Sequence, residues 1–180
     1  MKNAYKINGE YTIIYVKRKD KIYEVLIDTE DLELVSDFKG TWHLDNRGYI
    51  KRTISQRVEL MHRLIMNPPN NMVVDHIDGN KLNNRKHNLR IVKPSQNTQN
   101  IHHPHKVAES GIKGVKREKR WGTERWLARI GVHGREISLG YYDNIEDARI
   151  ASIVGRILYH PYSKEARIYN KLLQEKRDIK

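Results

Sequence analysis

Two runs near the start of the chain, Tyr11–Val16 and Ile22–Ile27, are rich in β-branched and aromatic residues. The polar stretch Lys17–Lys21 separates them, and this pattern predicts a β-hairpin. Asp28 or Thr29 can cap a short helix with Leu32 and Val35 on one face and Gly40 beyond its end. A second hairpin is predicted to turn at Asp45-Asn46-Arg47-Gly48, between Trp42–Leu44 and Tyr49–Ile54. Leu60–Met66 reads as a short helix stopped before Pro68-Pro69. It is followed by a strand at Met72–Asp75, a polar loop from Gly79 to Asn88, a strand at Leu89–Val92 and a helix opened by Pro94. A strand–loop–strand–helix unit this small is not stable by burial alone, so it is expected to lean on its neighbours or be held by a bound ion.

Residues 101–110 read as a linker. His102, His103 and His105 are close together there but lack partner ligands at usual metal spacing. From Gly111 the pattern becomes three short strands at 113–118, 125–131 and 135–141, with turns at Trp121-Gly122 and His133-Gly134. A helix from Asn144 to Tyr159 follows, capped by Asp143 or Asn144. Its stripe of Ile145, Ala148, Ser152, Gly155 and Tyr159 would let it approach a sheet closely. A last helix is predicted over 164–176. The expected fold class is therefore α+β in a small modular chain, divided at 1–58, 59–103, 104–162 and 163–180.

Composition narrows the function classes. The 180 residues hold 34 Lys and Arg against 22 Asp and Glu, a net charge of +12, and no Cys. Disulfides and thiolate zinc sites are thereby excluded. No run approaches the roughly 18 apolar residues of a membrane span, and Met1-Lys2-Asn3-Ala4 does not begin a signal peptide. The expectation is a cytoplasmic protein that seeks a polyanion and not a membrane. Residues 1–60 are nearly neutral, with 11 basic and 10 acidic side chains, whereas 113–135 holds 8 basic and 2 acidic ones. So local an excess suggests a nucleic-acid-facing surface.

The candidate chemistry lies in Val74-Asp75-His76, continued by Asn88 and Asn97. Asp75 and Asn97 are hard oxygen donors of the kind Mg²⁺ or Mn²⁺ prefers, and the predicted hairpin and helix can bring them together. Adjacent strand residues point to opposite sides, so His76 can face a water while Asp75 faces a metal. Asn88 can accept a hydrogen bond from the imidazole and hold its tautomer, the orienting role a general base needs. His62 reads as a structural histidine just before the hairpin, and Arg63 and Arg85 are candidate phosphate contacts.

With His62-Arg63, Val74-Asp75-His76, Gly79-Asn80, Asn83-Asn84-Arg85, Asn88-Leu89-Arg90 and Asn97, segment 62–100 resembles the HNH endonucleases, in the subgroup of phage homing enzymes. The resemblance implies a ββα-metal core in which Asp75 and Asn97 bind one divalent metal, His76 is the general base and Asn88 positions it. It also implies 5′-phosphate and 3′-hydroxyl ends. The third letter of the family name is Asn97 here, not His, which favours Mg²⁺ or Mn²⁺ over tightly held zinc.

Gly114-Val115, Trp121-Gly122, Trp126–Ile130, Leu139-Gly140-Tyr141 and the helix with Glu146-Asp147-Ala148 give 111–160 a resemblance to the ethylene-response-factor (APETALA-type) DNA-binding domain. That family lays a three-stranded antiparallel sheet, backed by one helix, in the DNA major groove. Its reading face would fall near Lys113, Lys116, Trp121 and Arg129, and Arg117, Arg120, Arg125 and Arg135 are further basic candidates. Glu136 and Ser138 depart from the pattern, standing where a basic and an aromatic residue are usual, so the family's target sequence does not carry over.

Together these readings predict a sequence-specific HNH homing endonuclease acting on double-stranded DNA, with monomer favoured, in a bacterial or phage-infected cell. The alternatives are a DNA-binding regulator with an inert nuclease core, and a restriction or structure-specific HNH nuclease.

Overall fold

A computed structural model describes residues 1–100, 109–120 and 122–178; the three linker histidines and Trp121 lie outside the described residues. The chain separates into two compact units, Met1–Asn97 and Thr98–Lys180.

The first unit opens with β1 (Tyr5–Asn8), β2 (Tyr11–Arg18) and β3 (Lys21–Asp28), an antiparallel sheet in that order. The predicted hairpin is present, with a preceding edge strand that the pattern did not show. Alternation along β2 buries Thr12, Ile14 and Val16 on one side. Helix α1 (Leu32–Ser36) follows, then β4 (His43–Leu44), β5 (Ile50–Ile54) and β6 (Arg57–Leu60) in a second antiparallel sheet. Asn3 ties the start of the chain to Trp42, accepting from its backbone N–H at 2.7 Å and donating to its carbonyl at 3.2 Å.

Helix α2 (Met61–Met66) ends at Asn67, whose φ of 41° stops the helix ahead of the two prolines. The hairpin of β7 (Val73–His76) and β8 (Leu89–Val92) comes next, followed by α3 (Pro94–Asn97), which packs against β7. One core serves this whole unit: Ile14, Val25, Ile27, Val35, Trp42 and Ile50 share it with Met61, Ile65, Val74 and Leu89. The small hairpin-and-helix element is thus completed by the N-terminal sheets. At about 1.5–3 kcal/mol per buried side chain, that shared burial is what the element lacks by itself.

The polar loop between β7 and β8 is docked on the edge of β3. Leu26 donates its N–H to the Leu82 carbonyl at 2.9 Å, and Asn84 returns a bond to the Leu26 carbonyl at 2.8 Å. Arg85 anchors the loop to Asp28 at 2.7 Å.

The second unit contains β9 (Val115–Arg120), β10 (Thr123–Val132) and β11 (Arg135–Tyr142), an antiparallel sheet with β10 central. Helix α4 (Ile145–Tyr159) packs on β10 and β11, and α5 (Lys164–Asp178) packs on α4. Of the two predicted caps, Asn144 is used, its side chain accepting from the Asp147 N–H at 2.8 Å. Ala148, Ser152 and Gly155 are buried as the small-residue stripe predicted, but Tyr159 is exposed. A Cβ at Gly155 would stand 2.5 Å from Leu139 Cδ1, so a larger residue there would have to displace the Leu139 side chain. No helix among the described residues is long and apolar enough to cross a membrane.

Candidate active site and basic sheet

Asp75 and His76 are the last two residues of β7, both buried. Their side chains meet different neighbours, as strand alternation requires. Asp75 lies opposite Arg90 in the ladder. Arg90 Nε and Nη2 donate to the same carboxylate oxygen, Asp75 Oδ2, at 2.9 and 2.6 Å. His76 instead meets aromatic rings: its centroid is 5.0 Å from that of His62 and 6.1 Å from that of Tyr49.

The amide within hydrogen-bond reach of the His76 ring belongs to Asn84, whose Oδ1 is 3.3 Å from Nε2. Asn84 is fully buried, and its Nδ2 donates to the Lys81 carbonyl at 3.3 Å. That donor bond assigns which end of the amide is oxygen, so Nε2 carries the proton and donates it to Asn84. Nδ1 is then the ring's unprotonated nitrogen. Burial lowers the pKa of His76, and the Asn84 hydrogen bond and the Asp78 and Asp75 charges oppose it only in part. The imidazole is therefore neutral at physiological pH.

Asn88 works one step away. Its Oδ1 accepts from the Asp78 N–H at 3.0 Å, and its Nδ2 donates to Asp78 Oδ1 at 2.9 Å and to the Asn83 carbonyl at 2.8 Å. Its own carbonyl accepts from the Ile77 N–H at 2.8 Å. All four bonds hold the loop leaving His76; the expected direct bond to the imidazole is supplied by Asn84. The reason is the docking of the loop on β3, which turns Asn84 inward beneath the ring. Asn97 ends α3, half-buried, on the helix that packs against the strand bearing Asp75.

The two candidate phosphate contacts have protein partners. Arg63 Nη1 donates to the Met72 carbonyl at 3.2 Å. Arg85 pairs with Asp28 and stacks on Tyr11, its guanidinium 5.5 Å from the ring centre. Burial alone would raise the Asp28 carboxyl, but the bonds from Arg85 and the Lys86 N–H hold it below its ordinary value.

His62 is buried on α2, and its Nδ1 has no hydrogen-bond partner among the described residues. Burial, helped by the neighbouring His76, Arg63 and Lys81, pushes its pKa from 6.5 down to about 3.

Residues 60–99 match the HNH endonuclease family model. The match spans α2, the β7–β8 hairpin and α3, and it supports the HNH reading of this segment. The chain is 35% identical over 80 residues to Protein 3.8 of Escherichia phage T7, covering 43% of this chain and 62% of that protein. It is 38% identical over 90 residues to "Uncharacterized HNH endonuclease L560" of Acanthamoeba polyphaga mimivirus, covering 47% and 44%. It is 54% identical over 56 residues to "SPbeta prophage-derived putative HNH homing endonuclease YosQ" of Bacillus subtilis, covering 28% and 32%. The chain thus spans less than two thirds of the length of each. No solved structure matches it. The family match does not extend into 111–160, where the ethylene-response-factor resemblance rests on the quoted residues alone.

In the second unit, ladder register sorts the basic residues by face. Val115 pairs with Ala128, and Arg117 with Trp126, on the side that α4 covers. Alternation puts Lys116, Arg125 and Arg129 on the opposite, open side. Arg117 therefore faces away from the surface expected to read DNA; it pairs with Glu124 at 2.6 Å and Glu109 at 3.4 Å. Lys113 is half-buried beside the helices, where burial and Arg156 lower its pKa. Its carbonyl accepts from Ser152 at 2.6 Å and Arg156 at 3.1 Å. Arg135 is exposed where β11 begins; the Arg120 side chain is outside the described residues.

Lys116, Arg125 and Arg129 each also have a carboxylate. Lys116 pairs with Glu118 at 3.2 Å, Arg125 with Asp143 at 2.8 Å and Arg129 with Glu136 at 2.6 Å.

Proposed function

We propose that this chain is a divalent-metal-dependent DNA endonuclease of the HNH homing type, cutting double-stranded DNA with His76 as general base. The observation that carries the reading is the buried, neutral His76 bonded through Nε2 to Asn84, inside the segment matching the HNH family. A nitrogen base on a strand end, oriented by an amide and beside a carboxylate, suits proton abstraction from water.

Asp75 and Asn97, the residues that would hold a metal, are oxygen donors and suit a hard cation. No cluster of three His, Cys, Asp or Glu among the described residues could hold a metal. Asp75 and Asn97 would supply one carboxylate and one amide oxygen. This is a sparse set that suits Mg²⁺ or Mn²⁺, ions that keep waters and phosphate oxygens in their shell. Such an ion, when bound, supplies positive charge to the phosphate oxygens and the departing 3′-oxygen.

The protein's own contribution is proton handling and orientation. His76 Nδ1 takes a proton from water as its oxygen attacks phosphorus, and Nε2–H remains on Asn84. Asn88 holds the loop that fixes the strand end, so the imidazole does not wander. The second unit supplies phosphate contacts through Lys116, Arg125 and Arg129 on the open face, their paired carboxylates exchanging for phosphate on DNA binding.

Supercoiled plasmid incubated with the protein and Mg²⁺ tests this. Relaxed or linear product with 5′-phosphate and 3′-hydroxyl ends, lost in EDTA and restored by Mg²⁺ or Mn²⁺, is expected. Intact plasmid across metals and sequences, with tight DNA binding retained, would favour a regulator instead.

A further inference from the structure

Tyr49 just before β5, His62 on α2 and His76 at the end of β7 pack as one cluster of rings. Tyr49 and His62 have centroids 5.2 Å apart, and His62 stands edge-on to His76 at 5.0 Å with an interplanar angle of 75°. His62 is buried on α2, and the proposed chemistry assigns it no proton to move. Its Nδ1 is nevertheless buried without a partner among the described residues, at a cost that a purely apolar ring would avoid.

A histidine ring has a broad, nearly two-fold torsion about its second side-chain bond. Turned over, His76 would carry Nε2 away from Asn84 and present carbon where Nδ1 is needed. Asn84 restrains one edge of the ring, and a hydrogen bond of 3.3 Å is a weak restraint by itself.

We propose that His62 is a positioning residue, its ring wedged against His76 so that Nε2 stays on Asn84 and Nδ1 stays toward the reacting water. The catalytic consequence rests on the nuclease reading; the orientation of His76 does not. Burial, which keeps His62 uncharged, allows the two rings to pack without repulsion.

The test compares His62→Phe, which keeps a ring edge, with His62→Ala, which removes it, in the full chain. The ¹⁵N spectrum of the imidazoles is recorded without DNA or metal at about pH 8, above the ordinary histidine range. Wild type and His62→Phe are expected to show His76 as the single Nε2–H tautomer, and His62→Ala a mixture. In single-turnover cleavage, His62→Ala should be slower by about ten- to a hundredfold, as misplacement of a catalytic group costs. Its DNA affinity should be unchanged, and His62→Phe should stay close to wild type.

If His62→Ala does not fold, His62→Leu takes its place, filling the volume without a ring edge. An unchanged His76 tautomer in the ring-less variant would overturn the proposal, as would His62→Phe cutting as slowly as His62→Ala. A wild-type protein that cuts nothing would refute the nuclease reading, and the tautomer comparison would still decide the role of His62.

Discussion

Arg90 and Asp75 face each other across the β7–β8 ladder, and two guanidinium nitrogens converge on one oxygen of a carboxylate whose side chain is 8% exposed. The pair satisfies a buried charge, and in the proposed enzyme that same charge must also serve a cation. Arg90 and the metal are therefore competitors for Asp75.

Arg90→Met should separate the two roles. Breaking a buried ion pair by removing one partner costs about 3–5 kcal/mol. The variant should melt well below wild type, and Mn²⁺ should raise its melting temperature more than that of wild type. Thermal melts with and without Mn²⁺ read this directly. Equal metal effects on both proteins would mean that Asp75 is not a ligand.

Asn84 and Asn88 should fail differently. Asn88→Ala loses three side-chain bonds around Asp78 and Asn83, each worth about 1 kcal/mol. It should lower stability by a few kcal/mol in chemical denaturation. Asn84→Ala removes the acceptor of His76 Nε2 and should slow cleavage by about two orders of magnitude with DNA affinity intact. If Asn88→Ala kept full stability while losing activity, Asn88 would be the direct orienting residue after all.

His62 should make stability fall in acid. Its folded pKa, about 3, lies below its ordinary 6.5, so the unfolded chain binds more protons between those values. Stability from this group is complete above pH 6.5 and falls by about 1.4 kcal/mol per pH unit below it, until pH nears 3. Urea titrations from neutral to about pH 4.5 should show a shallower decline for His62→Phe than for wild type. Parallel declines would mean that His62 is not buried in its neutral form.

The open face of the second sheet should carry DNA affinity. Lys116→Ala and Arg129→Ala should each lower the log–log salt slope by about one per lost phosphate contact. Arg117→Ala, on the helix side, should leave the slope unchanged. Binding titrations at several salt concentrations distinguish the faces, and an effect of Arg117 equal to that of Arg129 would contradict this assignment.

The period-two runs in β2, β3, β10 and β11 and the punctuation by Pro68, Gly79 and Pro94 were legible along the chain, because local patterns decide them. The edge strand β1 was not, since all four of its residues are exposed. Asp75 and His76 could be picked out by residue type and spacing. Their partners could not, because Arg90 meets Asp75 through ladder register and Asn84 meets His76 only after the loop docks on β3. Local charge counting also overstated the basic stripe of 113–135. Glu109, Glu136 and Asp143 lie outside that window in sequence and fold back onto its arginines.

His76 is the group proposed to move the proton. Single-turnover cleavage of supercoiled plasmid by wild type and His76→Ala, with DNA affinity measured in parallel, tests it most directly. Cleavage by His76→Ala is expected to be slower by about two to four orders of magnitude at unchanged affinity. Cleavage by His76→Ala at the wild-type rate, with the same ends, would contradict it.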